Sequence, residues 1–196
     1  MRHFTFGPSL SLSGRTNKGL RGLSGKPLHP PLTDIPIAAY LFTAVFDVLS
    51  VVLYGSHEQL ATELYRAGTW VLLGGAAVSL LAALTGAVDW WRSSQAGTQA
   101  RRTINAHALV MITVTVLVLV DLVWRLTAGA QADSTPVGVA VLSVVAALLV
   151  SLGASLGGSL VYDYGFNVET AGDHPVWHRS EADVYPDGHT AHGTRA

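Results

Sequence analysis

Acidic and basic side chains interrupt two long apolar runs of this sequence. Asp47 lies inside one run, and Asp121 lies inside another, four residues before Arg125. A lone carboxylate is costly in hydrocarbon, so an acid at such a position is by default a candidate functional residue. The i, i+4 spacing predicts an Asp121–Arg125 ion pair, which is also the simplest structural role for both residues. Asp47 needs a partner or a proton, and both an interhelical hydrogen bond and a role in proton or ligand handling stay open.

A second group of polar residues is predicted to gather at one end of a helical bundle. Its members are His29, Asp34, Asp89, Arg102, His107 and Tyr162. Two imidazoles with carboxylates nearby could ligate a divalent metal, and two imidazoles alone could ligate a haem iron, so His29 and His107 are the metal candidates. A quinone headgroup held by His or Tyr donors is a third possibility. The simplest alternative is a network of interfacial hydrogen bonds that fixes the loops.

Four apolar segments position these residues, and each is close to the ~20 residues that a membrane-spanning helix needs. They cover residues 35–54, 70–90, 104–126 and 136–161. Three prolines between residues 27 and 31 predict an extended stretch before the first helix, with Thr33 or Asp34 as its cap. That stretch would place His29 outside the first helix, which counts against haem, because bundle cofactors are usually ligated from facing helices. Small residues such as Gly75, Gly153 and Gly157 predict close helix packing.

Composition supports a membrane protein. The chain has 196 residues, of which 49% are hydrophobic and 13% charged, and its net charge of -1 offers no basic surface for nucleic acid. It contains no cysteine, which excludes disulfides and cysteine-ligated clusters. All but two of its 12 Lys and Arg residues fall on one side of a four-helix arrangement, so both termini are expected in the cytoplasm and the helices in the cell inner (plasma) membrane.

The two ends of the chain differ from its centre. Residues 1–24 are predicted to form a flexible basic arm, and residues 166–196 a polar disordered tail. Residues 25–165 are predicted to form an all-α integral membrane four-helix bundle.

Four fragments resemble, in the same order, the bacterial membrane family called domain of unknown function 2231. The fragments are "GKPLHPPLTDIPIAAYLFTAVFDVLS", "TGAVDWWR", "RRTINAHALVMI" and "LGGSLVYDYGFNVE". The family pattern falls on His29, Pro30, Asp34, Pro36, Asp47, Gly86, Asp89, Arg102, His107, Gly157, Gly158 and Tyr162. The resemblance implies a four-helix membrane module of unassigned biochemistry. It also implies a redox setting, since some relatives continue into a Rieske iron-sulfur domain. This chain has no cysteine and cannot hold such a centre, so electron transfer would need a partner subunit or another cofactor.

These observations lead to one prediction and two alternatives. We predict a non-catalytic membrane module that binds a redox cofactor, a quinone or a partner subunit at its cytoplasmic end. The sequence does not identify a cofactor, and a quinone, a haem and a divalent metal all stay open. The lipid bilayer is the expected partner, while subunits of a membrane redox complex and further copies of the chain stay open as well. The alternatives are a small transporter or proton-conducting protein that uses Asp47 and Asp121, and a structural assembly factor.

Overall fold

Four long helices make up almost all of the structure, a computed structural model that describes residues 19–22 and 26–168. The helices are α1 (His29–Leu53), α2 (Glu58–Ser93), α3 (Gln99–Leu126) and α4 (Val137–Tyr162). Each is long and apolar enough to cross a membrane. The only β-type pairing in the described residues is one isolated antiparallel bridge, between Arg21 and Pro27. The predicted all-α fold with four spanning helices is confirmed for this part of the chain.

The start of α1 differs from the prediction. The helix begins at His29, and Pro30 lies in its first turn. The expected extended stretch was wrong because the N–H groups of a first turn have no intrahelical acceptor, so proline is tolerated there. Thr33 and Asp34 do not cap the helix; the capping position is Leu28, which makes no side-chain capping bond, and the Thr33 hydroxyl donates to the Pro30 carbonyl at 2.7 Å. His29 therefore lies on a helix of the bundle.

Helix α2 extends well beyond the apolar segment 70–90. It has 36 residues and begins at Glu58, so its first turns carry charged side chains such as Glu63 and Arg66. A hydropathy window detects only the apolar part of such a helix. The backbone hydrogen bonds continue into the polar region, where the sequence gives a helix no reason to stop.

The helices pack as a closed ring in the order α1, α2, α3, α4, with the most extensive contact between α1 and α2. Gly75 lets these two helices approach closely, since a Cβ atom there would lie 2.5 Å from the Ala39 Cβ and 3.2 Å from the Tyr40 Cε1. On the other side of the bundle, Gly153 of α4 packs against Met111 of α3. Gly75 thus brings two helix backbones together, whereas Gly153 accommodates the Met111 side chain.

An apolar core occupies the middle of the bundle. It consists of Ala39, Tyr40, Leu72, Ala76, Val114, Val118, Leu122, Ala146 and Val150. His29 and His107 lie towards the end where α1 and α3 begin, which we call the terminal end. Asp47 and Arg125 lie towards the other end, which we call the opposite end. The core thus separates two groups of polar side chains.

Candidate functional sites at the two ends of the bundle

A buried charge cluster lies towards the opposite end and consists of Asp47, Asp121, Arg125 and Thr135. The Arg125 guanidinium donates from Nε to the Asp121 Oδ1 at 2.7 Å, and from Nη2 to the Asp47 Oδ2. All four residues are at least 98% buried. Because α1 and α3 lie diagonally across the ring, Arg125 ties together two helices that share little direct contact.

Neutral groups complete the hydrogen bonding of the cluster. The Thr135 hydroxyl donates to the Asp47 Oδ1 at 3.1 Å, and the Thr135 backbone N–H donates to the Ser50 hydroxyl at 2.9 Å. The second terminal nitrogen of Arg125 donates to the Thr69 hydroxyl at 3.3 Å, and its guanidinium carbon lies 5.2 Å from the centre of the Tyr65 ring. Through these contacts the cluster joins α1, α3 and the α3–α4 connection, and it reaches α2 through Thr69 and Tyr65.

Part of the charge cluster was predicted from sequence. The structure forms the Asp121–Arg125 pair and gives Asp47 the partner that a buried acid needs. Thr135 and Tyr65 were not predicted. A Thr just before an apolar helix usually indicates a helix cap. The sequence around Thr135 therefore does not predict that its hydroxyl reaches α1.

Thr135→Val is expected to destabilise the protein by about 1–2 kcal/mol, because it removes a donor to a buried carboxylate without changing side-chain size much. Unfolding with SDS in mixed detergent micelles, followed by tryptophan fluorescence, measures the free energy of unfolding. The control is Thr113→Val, since Thr113 is exposed and its hydroxyl donates only to the Leu109 carbonyl. Equal effects of the two substitutions would contradict a role for Thr135 in the cluster.

Two histidines face each other towards the terminal end, and we call them the imidazole pair. His29 of α1 hydrogen bonds through Nδ1 to the Ala82 carbonyl of α2 at 2.8 Å, and His107 of α3 through Nδ1 to the Gly153 carbonyl of α4 at 2.9 Å. The ring centroids are 6.3 Å apart, with an interplanar angle of 85°. Both rings are half-buried. Residues 78 positions apart in sequence thus share one site, each ring held by a different neighbouring helix.

A glycine makes room for the His29 imidazole, and another glycine contacts the His107 imidazole. A Cβ atom at Gly86 would lie 2.8 Å from the His29 Cε1, and one at Gly157 would lie 3.5 Å from the His107 Cε1. Since a 2.8 Å contact forces a shift, any side chain at Gly86 would move the His29 ring. Gly86 of α2 therefore helps to set the orientation of the His29 ring.

Three of the other residues predicted for this end lie outside the pair. Asp34 is exposed on α1, and Tyr162 is 87% exposed at the end of α4. Arg102 is exposed and donates from Nε to the Gln99 Oε1 at 2.9 Å, within its own helix. All three lie at the terminal end, but their angular positions on the helices direct them away from the imidazoles.

Asp89 is the remaining predicted site residue, and it is 5% exposed. It lies on α2 close to Gly86, and its Oδ1 has no hydrogen-bond partner in the described part of the chain. Gly19 packs directly on it, since a Cβ atom there would lie 1.7 Å from the Asp89 Oδ1. The segment 19–22 returns towards α1, where the Leu28 N–H donates to the Leu20 carbonyl at 3.0 Å. This segment covers Asp89 near the imidazole pair.

The imidazole pair offers few ligands for a metal ion. Within residues 19–22 and 26–168, no three side chains of His, Cys, Asp or Glu are grouped so as to hold a metal ion. A metal bound by the pair would therefore need its other ligands from elsewhere.

Four apolar helices with polar groups enclosed at both ends define a membrane protein of the helical-bundle class. The chain belongs to the family described as "Predicted membrane protein (DUF2231)", which matches residues 25–170. The resemblance seen in the four sequence fragments is confirmed. No curated protein and no solved structure matches the chain.

Proposed function

We propose that this chain is a non-catalytic membrane module that binds a redox cofactor, a quinone or a partner subunit at the imidazole pair. We place it in the cell inner membrane with both termini in the cytoplasm, because ten of its 12 Lys and Arg residues precede α1, follow α4 or lie around the α2–α3 connection in the sequence. The observation that carries the proposal is the convergence of His29 and His107 on one site, each held by a backbone carbonyl.

The pair has the features of a binding site more than those of a structural contact. Each imidazole uses only one of its two ring nitrogens within the described residues. The remaining nitrogens are therefore available to a ligand.

The charge cluster gives less support to the alternative of proton conduction through Asp47 and Asp121. Both acids are engaged by Arg125, and the apolar core lies between them and the imidazole pair. A conducting protein needs a continuous polar or hydrated path, and the buried side chains between the cluster and the pair are mostly apolar. A stabilising role suits the charge cluster better.

The proposal is tested by purifying the full chain from its native membrane in mild detergent. We expect a stoichiometric redox ligand, detected by optical spectroscopy, metal analysis and lipid extraction, together with any co-purifying subunit. His107→Ala should lose it, because one of the two nitrogens that hold the ligand is gone. His57→Ala is the matched control, since His57 is exposed at the opposite end and contacts only Ser56 through its ring.

A preparation without haem, metal, quinone or partner subunit would contradict the proposal. So would a ligand that His107→Ala retains in full. Size-exclusion chromatography of each variant checks that the loss of ligand does not reflect loss of the fold.

A further inference from the structure

We infer that the imidazole pair binds a haem iron, with His29 and His107 as its two axial ligands. This inference rests on the proposed function, because it names the cofactor that the same site takes. It follows from the hydrogen bonds of the two rings, their separation and the residues around them.

The hydrogen bonds determine which ring nitrogen is free. Each Nδ1 lies 2.8–2.9 Å from a backbone carbonyl oxygen, which can only accept, so each Nδ1 carries the hydrogen. In the neutral ring Nε2 then keeps a lone pair. Metal-ligating histidines have this arrangement, with the second ring nitrogen donating to a carbonyl or carboxylate that fixes the ring.

The same hydrogen bonds disfavour an oxidised quinone. A quinone carbonyl oxygen needs a hydrogen-bond donor, and a neutral imidazole whose only N–H is already used on a backbone carbonyl has none to offer. The free nitrogens of the pair are therefore suited to a metal ion.

The separation of the rings suits one shared iron. Two imidazoles bound through Nε2 to the same ion place their centroids about 6 Å apart, because each metal–nitrogen bond is about 2 Å and each centroid lies about 1 Å behind its nitrogen. The observed distance is 6.3 Å. The rings also come from α1 and α3, which face each other across the bundle, so they approach from opposite sides.

Haem suits the donor set better than a bare ion does. Structural and catalytic metal ions usually take three or four protein ligands, and no such group exists in the described residues. A porphyrin brings four nitrogens of its own and needs only two axial ligands. Gly86 keeps side-chain bulk away from the His29 ring. Since the chain has no cysteine, the haem would be held without thioether bonds.

The test is a haem assay on the full chain, expressed with a haem precursor and purified in mild detergent. We expect one haem per chain that acidified organic solvent extracts, and a low-spin ferric signal in electron paramagnetic resonance, as two imidazole ligands produce. His29→Ala and His107→Ala should each lower the haem content at least tenfold or convert it to a high-spin form, and added imidazole should restore the low-spin signal. His57→Ala should leave both readouts unchanged.

The outcomes separate this inference from the proposed function. Haem whose signal is unchanged in both His29→Ala and His107→Ala would overturn the inference, because the haem is then bound elsewhere. A preparation without haem but with a stoichiometric quinone or partner subunit, lost in His107→Ala, would also overturn it and leave the proposed function standing. A preparation with none of these would overturn both. Restoration by imidazole distinguishes a lost ligand from a misfolded variant.

Discussion

Arg125→Leu is expected to destabilise the protein by about 3–5 kcal/mol, the cost of leaving buried charges without their partner. The substitution leaves the carboxyl groups of Asp47 and Asp121 together in a site that is at least 98% buried. It also removes the tie between the diagonal helices α1 and α3. SDS unfolding in mixed micelles measures the change in the free energy of unfolding.

The matched control is Arg66→Leu, because Arg66 is exposed on α2. It should change the free energy of unfolding by no more than about 0.5 kcal/mol, as surface substitutions usually do. Arg125→Lys should recover only part of the loss, since an ammonium group cannot reproduce the fork of donors that reaches Asp47, Asp121 and Thr69 together. Equal effects of Arg125→Leu and Arg66→Leu would contradict the assigned role of the cluster.

Gly75→Leu is expected to cost about 3 kcal/mol, near the upper end of the usual range for overpacking. Its Cβ atom alone would lie 2.5 Å from the Ala39 Cβ, an atom fixed to the α1 backbone. The contact can be relieved only if α1 and α2, the most extensively packed pair of helices, move apart. The same unfolding measurement reports the loss.

The neighbouring residue provides the control for this substitution. A Cβ atom at Gly74 meets nothing within 4 Å, so Gly74→Leu should be neutral or slightly stabilising. A loss at position 74 as large as at position 75 would show that glycine is needed for a reason other than the close approach of α1 and α2.

Much of the fold could be predicted from local sequence. The four apolar segments are long enough to identify the spanning helices, because hydropathy over about 20 residues depends little on tertiary context. The start of α1 could not be predicted, because prolines just before a helix and prolines in its first turn give the same sequence pattern. The beginning of α2 at Glu58 was missed because that part of the helix is polar.

The two sites show which contacts can be predicted from residue spacing along the chain and which cannot. The Asp121–Arg125 pair follows from a four-residue spacing within one helix. The contact between Arg125 and Asp47 depends on the diagonal arrangement of α1 and α3, which no local spacing encodes. His29 and His107 could be assigned to one end of the bundle. Sequence spacing gives only the position of a residue along the helix axis, not the side of the helix it lies on. The assignment therefore also included Asp34, Arg102 and Tyr162, which are exposed in the structure.

The most direct test of the central claim, that the imidazole pair is a binding site for a redox ligand, is the amount of ligand per chain in protein purified from native membranes. We expect close to one ligand per chain in the wild type and in His57→Ala, and almost none in the double variant His29→Ala/His107→Ala. A ligand content in the double variant equal to that of the wild type would contradict the claim.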